Sequence, residues 1–343
     1  MKKVFLGVLI LAAISTTSCS ININGVNAMN SSNGVSENYL IRTENLDASL
    51  IQKLEANSTS ADFIVYGDGD QKSYVEIYAH SQNKKHTKSD IENLLNERNE
   101  VSVQQNGKTL SVIGKTKSGV KWSNSDNLII TFKIHIPTKV ATEFNTTSGD
   151  ISLEKLVGSV AIKTTSGDIV ASEIKGDIAI KTTSGDMQLS MIKGNRFDLE
   201  ATSGDVRIEN GKAREITIGT ASGDVSLSDV DGNTKIGSSS GDVKVGLNSG
   251  SLAVSSASGD QQLKVMDPKS EIKISAASGD VTLSVPQSIG AQLDIKGSSV
   301  SMSSNSSFDG DYTKGKSIYG KINGGGIPIN IRTASGEINL KWN

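Results

Sequence analysis

Eight aspartates, each preceded by serine and glycine, recur at nearly constant spacing, and their carboxylates are the most regular chemical groups in the sequence. The triplets end at Asp150, Asp168, Asp186, Asp205, Asp224, Asp242, Asp260 and Asp280, and a Ser-Gly-Glu ends at Glu337. Carboxylates in stacked turns could bind Ca²⁺ together with backbone carbonyls. They could instead accept hydrogen bonds from backbone N–H groups of their own turns. We favour this structural role and predict no cofactor or metal, because calcium-binding turn repeats have denser Gly and Asp in a period of about nine residues.

Cys19 is the only cysteine, and it follows an apolar segment near the start of the chain. Lys2 and Lys3 precede the apolar residues 4–14, a run that is too short for a spanning helix and is typical of a secretory signal. Small residues before Cys19 resemble the lipobox of bacterial lipoproteins, although Thr16 stands where leucine is usual. We predict a lipoprotein signal peptide over residues 1–18 and acylation of Cys19, with ordinary signal cleavage nearby as the alternative.

The other candidates for chemistry are few. His80, His86 and His135 have no spacing typical of metal ligands, and a single cysteine excludes a disulfide scaffold or a cysteine zinc site. The 35 Lys and Arg residues are balanced by 37 Asp and Glu residues, so no basic excess favours nucleic acid. Each Gly-Asp recurs between strand-like segments rather than before a helix, which argues against a phosphate-binding loop.

The aspartates must be positioned by a structural unit that recurs with them. Successive triplets are 18 to 20 residues apart, with a last interval of 57. Apolar residues alternate before the triplet and resume one step out of phase after it, as in Ile178 and Ile180, then Met187 and Leu189. Period-two alternation predicts strands with one buried face. Two short strands and two corners make one coil of a β-solenoid, whose coils stack as parallel strands.

Two further predictions come from the spacing. The second corner of each coil is assigned to Gly158, Gly176, Gly194, Gly211, Gly232 and Gly250. Because 57 is three times 19, the last interval is expected to hold two degenerate coils, one of them near Ser298, Ser299 and Val300. An outward column of small residues beside the triplets could form a flat face for protein contact: Thr147, Thr165, Thr183, Thr202, Ala221, Ser239, Ala257, Ala277 and Ala334.

We therefore predict an all-β fold, a single-stranded parallel β-helix (β-solenoid) with right-handed coils of 18–20 residues and one short helix near the N-terminal end. Residues 19–40 are rich in Asn, Ser and Gly and are expected to form a flexible tether. Residues 41–143 are expected to be an irregular β region with a capping helix at 88–98, for which Ser89 is the candidate N-cap. Residues 144–343 are expected to be the regular solenoid with irregular C-terminal coils, closed by Trp342 and covered by a loop at 303–320.

The repeated T-x-S-G-D-[IV]-x-L pattern over residues 144–285, with the closing segment at 320–340, resembles the bacterial β-strand-repeat candidate adhesins, a family built on a domain of unknown function. The resemblance implies an envelope protein with a β-helical body. It implies no catalytic residues.

We expect a non-enzymatic lipoprotein of the cell envelope, held by Cys19 at a membrane, the outer membrane, on its periplasmic or cell-surface side. It would act as an adhesin or scaffolding module that binds an envelope or surface protein or glycan through the solenoid faces or the irregular ends. The alternative is a carbohydrate-active β-helix enzyme, a polysaccharide lyase or glycosidase. That alternative requires a cleft with two carboxylates at catalytic separation and an aromatic ring nearby.

Overall fold

The computed structural model describes residues 37–81, 85–120, 127–303, 307–313 and 315–343. In these residues the chain forms one helix, α1 (Lys88–Arg98), and 24 strands. The strands are β1 (Tyr39–Leu46), β2 (Lys53–Tyr66), β3 (Ser73–Ser81), β4 (Asn99–Asn106), β5 (Thr109–Thr116), β6 (Leu128–His135), β7 (Ala141–Ser148), β8 (Ile151–Glu154), β9 (Val160–Thr164), β10 (Ile169–Ser172), β11 (Ile178–Ser184), β12 (Met187–Lys193), β13 (Arg196–Ser203), β14 (Val206–Ser222), β15 (Val225–Ser240), β16 (Val243–Ser256), β17 (Gln261–Ala276), β18 (Val281–Val285), β19 (Ala291–Lys296), β20 (Ser299–Met302), β21 (Phe308–Thr313), β22 (Ser317–Ile322), β23 (Ile327–Thr333) and β24 (Glu337–Trp342).

The predicted signal peptide, Cys19 and the predicted tether up to residue 36 lie outside the described residues. β1 begins at Tyr39, so the last residues assigned to the tether are part of a strand. In the part of the chain that the structure describes, no helix has the length and apolar character needed to cross a bilayer.

Alternating apolar residues form a core between two stacked layers of strands. After the Ser-Gly-Asp corner, Ile169 of β10 pairs in parallel with Ile151 of β8 and with Met187 of β12. Before the corner, Ile180 of β11 pairs with Ile162 of β9 and Leu199 of β13. These inward side chains are at most 2% exposed. The predicted all-β repeat with one short helix is confirmed, and the solenoid-like stack has a pre-corner face and a post-corner face.

Glycine is required at the Ser-Gly-Asp corner because successive corners touch through their backbones. Gly185 has φ +119°, a conformation that residues with a side chain resist. A Cβ built at Gly185 would overlap the carbonyl oxygen of Gly167 in the preceding coil. The threonine of the motif has its own partner, since Thr164 Oγ1 donates a hydrogen bond to Ser166 O at 2.8 Å. The T-x-S-G-D motif therefore encodes the turn itself.

Five residues after several of the aspartates, a non-glycine residue adopts the left-handed conformation. These residues are Lys155, Glu173, Met191, Asn210 and Asp229, with φ between 52° and 59°. Their side chains share no chemical property, so the sequence carries no sign of this column of left-handed residues.

The C-terminal coils are stacked out of sequence order. β23 and β24 pair in parallel with β17 and β18, which places Ile338 beside Val281. β19 and β20 then pair with the other side of β23 and β24, so that Val300 also lies beside Ile338. The coil of Glu337 therefore stacks directly on the coil of Asp280. The prediction of two degenerate coils between them is wrong. One degenerate coil is present, at the predicted Ser299 and Val300, and in space it lies on the outer side of the Glu337 coil.

The N-terminal coils show the same kind of inversion. β2 pairs in parallel with β7 and β8 on one side and with β5 and β6 on the other. The first coil in the sequence is therefore the second in space. Phe63 of β2 lies between the rings of Phe132 and Phe144, with ring centroids 5.3 and 5.5 Å apart. Three buried phenylalanine rings thus form the core of the first coils.

Antiparallel strands cover both ends of the stack. β4 pairs with β5, β3 pairs with β6, and β1 pairs with β3. At the C-terminal end β22 pairs with β19, and β21 pairs with β22. The segment expected to be a loop at 303–320 thus contributes strands to this cover. These strands occupy edges that would otherwise offer free backbone groups to another chain.

The helix α1 lies over the N-terminal cover. It has the predicted bounds, and it packs Ile91 and Leu95 against β3 and β4. Its N-cap is Thr87 rather than Ser89, because Thr87 Oγ1 accepts a hydrogen bond from Asp90 N–H while the Asp90 carboxylate accepts one from Thr87 N–H. The reciprocal pair is a capping box.

Two further predictions are corrected by the structure. Gly211 is not a corner residue, since it pairs inside the sheet with Ile192 and Val230. The corner of that coil is at Ala213, whose carbonyl oxygen lies against Gly232. Trp342 does not close the far end, because β24 lies between β18 and β20.

We predict that Gly185→Ala lowers the free energy of unfolding by more than about 3 kcal/mol, since the new methyl group overlaps backbone atoms and the φ value is unfavourable. Gly219→Ala is the matched control, because a Cβ there meets no atom within 4 Å. The control should change stability by less than about 1 kcal/mol. Urea unfolding followed by circular dichroism measures both, and equal stability of the two variants would contradict the stacked-corner geometry.

A second stability prediction concerns Gln261, which occupies an apolar column directly after the corners. The column is Phe132, Phe63, Ile151, Ile169, Met187, Val206, Val225, Val243, Gln261, Val281, Ile338 and Val300. Gln261 is 1% exposed, and its side-chain oxygen and nitrogen have no hydrogen-bond partner within the described residues. Gln261→Met should raise the unfolding free energy by about 1–3 kcal/mol, because no buried polar group is then left unpaired. Gln262→Met, at an exposed neighbour, should change it by less than about 0.5 kcal/mol. A lower urea midpoint for Gln261→Met than for the wild type would refute this explanation.

Candidate functional site

The predicted aspartates form one continuous row of hydrogen bonds along an edge of the stack, which we call the Asp ladder. Each carboxylate accepts a hydrogen bond through Oδ1 from the backbone N–H of the equivalent residue in the next coil, at 2.7 to 2.9 Å. The ladder consists of Asp62, Asp150, Asp168, Asp186, Asp205, Asp224, Asp242, Asp260 and Asp280, and it ends at the N–H of Glu337.

The partner of each carboxylate differs from the one expected. The donor lies in the following coil and not in the same turn, so the aspartates link coils to one another. The backbone completes the link in the other direction, since Ile151 N–H donates to Asp168 O at 2.9 Å. No group of three or more His, Cys, Asp or Glu side chains that could hold a metal ion occurs among the described residues.

Glu337 can replace aspartate because the ladder stops there. The next coil in space has Ser298 at its corner, and Ser298 Oγ donates to Gly336 O at 2.7 Å. The Ser298 hydroxyl, and not a carboxylate of the Glu337 coil, therefore links these two coils. Within the described residues, the side chain of Glu337 accepts no hydrogen bond from an N–H of a following coil, so an aspartate is not required there.

Asp62 is the rung that the sequence analysis missed. It follows Ser60 and Ala61, and Ser60 pairs with Ser148 of the first complete triplet. Burial raises the pKa of the Asp62 carboxyl to about 6, the hydrogen bond from Asp150 N–H opposes the rise, and the Asp150 charge adds to it. Folding therefore resists the ionisation of Asp62.

The three histidines lie at separate places in the N-terminal region. His80 is in β3, and burial lowers the pKa of its imidazole. His86 lies before α1, with Nδ1 3.2 Å from Ser81 Oγ. His135 stacks between Tyr66 and Tyr74, with ring centroids 5.0 and 4.4 Å apart, and its Nδ1 is 2.8 Å from Asp68 Oδ1. The neighbours of His86 and His135 account for them as structural residues, whereas the buried Nδ1 of His80 has no hydrogen-bond partner among the described residues.

The post-corner face carries an open groove of about 620 Å³, which we call the lysine groove. It crosses five successive coils and is lined by Ser226, Leu227, Ser228, Lys244, Val245, Gly246, Gln262, Leu263, Lys264, Thr282, Ser284 and Lys341. A smaller depression of about 400 Å³ lies between this groove and the Asp ladder and shares Ser226, Lys244 and Gln262 with it. Neither lining includes an aromatic ring.

The pre-corner face has a shallower depression of about 480 Å³ where Gly219 and Gly237 lack side chains. Glu200 lies at one end of it and Ser255 at the other. The predicted outward column of small residues, from Thr147 to Ala334, is exposed at every position. These depressions and the outward column therefore expose small or polar groups on both faces of the stack.

The raised pKa of Asp62 predicts a pH-dependent stability. An unfolded aspartate ionises near pH 3.9, whereas folded Asp62 ionises near pH 6. Between these values the unfolded chain binds fewer protons than the folded chain. The contribution of Asp62 to the free energy of unfolding therefore falls as the pH rises from about 4 to 6. Asp62→Asn keeps an acceptor for Asp150 N–H and should remove this fall, which makes the variant about 2 kcal/mol more stable relative to wild type at pH 7 than at pH 4.

Urea midpoints measured from pH 4 to pH 7 test this. Asp62→Ala is the companion variant, because it also removes the acceptor and should be less stable than Asp62→Asn at every pH. A difference between wild type and Asp62→Asn that does not change with pH would count against the ladder end described above.

Several solved structures are similar to most of this chain at low sequence identity. A candidate cell adhesion protein from Clostridium sporogenes is 11% identical over 90% of this chain and 100% of its own, with a TM-score of 0.27. A candidate adhesin from Bacteroides fragilis is 12% identical over 87% of this chain and 96% of its own, with a TM-score of 0.38. A candidate adhesin from Parabacteroides distasonis is 10% identical over 90% of this chain and 98% of its own, with a TM-score of 0.36.

No curated protein matches the chain. The Toastrack DUF4097 family, a domain of unknown function, matches residues 51–341. This range includes the inverted N-terminal coil of β2, every Ser-Gly-Asp coil and all but the last residue of β24. The match confirms the resemblance to a candidate adhesin family, and the chain belongs to the Toastrack DUF4097 family.

Proposed function

We propose that the protein is a non-enzymatic module of the bacterial cell envelope that binds an envelope or surface partner through the outside of its solenoid. The observation that carries the proposal is the form of the surface. Polar faces run along the stack of coils, and the depressions on them are shallow and open. A surface of this kind suits contact with an extended partner better than enclosure of a small substrate.

The geometry of the carboxylates supports a role without catalysis. The ladder aspartates lie at the strand spacing of about 4.8 Å, which is close to the separation of a retaining glycosidase pair. Each of them, however, holds the N–H of the next coil with Oδ1. The ring that would stack against a sugar at a cleavage site is missing from the depression beside them. We therefore assign the ladder to structure.

The coil geometry proposed for this module is a right-handed winding with 18–20 residues per coil. Strand partners 18 to 20 residues apart support the coil length, as in Ile169 with Met187 and Gln261 with Val281. The right-handed sense agrees with the strong preference of parallel β crossovers for that hand. Such a coil would advance by about 4.8 Å and make a stiff rod.

The proposed attachment is a lipid anchor at Cys19, on the periplasmic or cell-surface side of the outer membrane. The apolar run at residues 4–14 and the small residues before Cys19 support it. The Asn- and Ser-rich segment between Cys19 and β1 is composed like a flexible linker and would let the rod stand away from the lipid.

Expression of the full chain in a bacterium that processes lipoproteins tests the proposed lipid anchor. The wild type should incorporate labelled fatty acid and enter the detergent phase of a Triton X-114 extract, because acyl chains on Cys19 bury CH₂ groups in lipid. Cys19→Ala should incorporate no label and enter the aqueous phase, whereas Ser20→Ala should behave as the wild type.

Crosslinking of intact cells tests the binding role in the same strains. The wild type should crosslink to a defined envelope protein or glycan, and Cys19→Ala should crosslink to it less. An unlabelled wild type would exclude the anchor. The absence of any defined crosslinked partner, or the shortening of a polysaccharide by the purified protein, would exclude the non-enzymatic binding role.

A further inference from the structure

The lysine groove combines three cations that have no carboxylate beside them in their columns. Lys244 lies between Ser226 and Gln262 of the adjacent coils. Lys264 lies between Gly246 and Ser284, and Ser284 separates it from Lys341. None of the three lysines forms an ion pair within the described residues.

Two lysines on other parts of the stack are paired with carboxylates. Lys181 pairs with Glu200 of the next coil at 2.7 Å, and Lys53 pairs with Glu143 at 2.9 Å. In those places the positive charge is balanced by a carboxylate one coil away. In the lysine groove the neighbours in the same columns are hydroxyls, an amide and a glycine, and no carboxylate of the described residues pairs with the three lysines, so their positive charge remains available to a ligand.

The spacing of the cations suits a ligand with several anionic groups along a chain. Lys264 and Lys341 are two coils apart in one column, or about 10 Å, and Lys244 is one coil and two residues from Lys264, or about 8 Å. Gly246 leaves an opening in the same column next to Lys264. The groove thus continues across the strands, along the axis of the stack.

The border of the groove adds acceptors to these donors. Asp224, Asp242 and Asp260 line the adjoining depression, and the ladder occupies only Oδ1 of each carboxylate. A ligand that fits must present anionic groups to the lysines and hydroxyl donors to the aspartates. A polysaccharide of carboxylated sugars has both carboxylates and hydroxyls. A polymer with anionic groups alone would be repelled by the ladder carboxylates and could donate no hydrogen bond to them.

We propose that the lysine groove binds a carboxylated polysaccharide, which lies along the solenoid axis with its carboxylates at Lys244, Lys264 and Lys341 and its hydroxyls toward the Asp ladder. The proposal rests on the proposed function and names the partner class. It also places recognition on the regular body rather than on the irregular ends.

Calorimetry with three polymers tests the proposal: polygalacturonate, neutral dextran and polyglutamate, which has carboxylates without hydroxyls. The wild type should bind polygalacturonate, with affinity that falls as salt is raised. The triple variant K244Q/K264Q/K341Q should lose at least about tenfold in affinity, because three charge-assisted contacts are removed. The matched control K163Q/K235Q/K273Q makes the same charge change on exposed residues of the pre-corner face and should stay within about twofold.

Thermal melting of both triple variants establishes that they are folded. Equal loss of affinity in the two variants, equal affinity for dextran or polyglutamate, or no binding of polygalacturonate by the wild type would each overturn the proposal. The crosslinking experiment separates this failure from that of the proposed function. A groove variant that still crosslinks to the cellular partner leaves the envelope role intact, whereas a wild type without any partner removes both.

Discussion

Successive coils approach so closely at one edge that backbone touches backbone, and most of the repeated sequence can be explained by this contact. Gly185 lies against the carbonyl of Gly167, which leaves no room for a side chain. The same corner turns the aspartate N–H away from the regular strand ladder, so it needs an acceptor from elsewhere. Asp168 supplies that acceptor to Asp186 at 2.9 Å. The short distance between corners therefore explains both residues: glycine fits it without a clash, and aspartate supplies the acceptor that the corner N–H needs.

Stacking pairs the backbone N–H and C=O groups of every inner coil with the coils on both sides, but it leaves unpaired strand edges at the two ends of the stack. The chain meets this by folding back, so that β2 and β24 lie inside the stack while later or earlier segments form the outer coils. Antiparallel strands then cover those outer coils. An inner position holds a terminal segment by pairing on both sides, which makes it resistant to fraying. The departures from the repeat at the ends are thus a consequence of the same pairing that makes the middle regular.

The sequence predicted the parts of the structure that depend on contacts between equivalent positions. The period, the inward residues such as Ile178 and Met187, and the corner at each Ser-Gly-Asp follow from local sterics repeated many times. The order of the terminal coils does not, because an interval of 57 residues fits three coils as well as one coil reached by an excursion. Asp62 could have been found, since Ser60-Ala61-Asp62 is a triplet with alanine in place of glycine. Alanine is possible there because β2 runs straight through Ala61 and has no glycine corner beneath it.

The stack also changes where specificity can arise in a repeated protein. Most inward positions are apolar for packing, and the inner corners are Gly-Asp, so these positions have little freedom to vary with a ligand. Outward positions such as Lys244 and Gly246 carry no such constraint, and coils of nearly constant length bring them into straight rows. A substitution there alters one site in a linear array without disturbing the coils above and below. Because a ligand along the axis meets a different side chain about every 4.8 Å, a regular backbone can present an irregular, and therefore selective, pattern of charge.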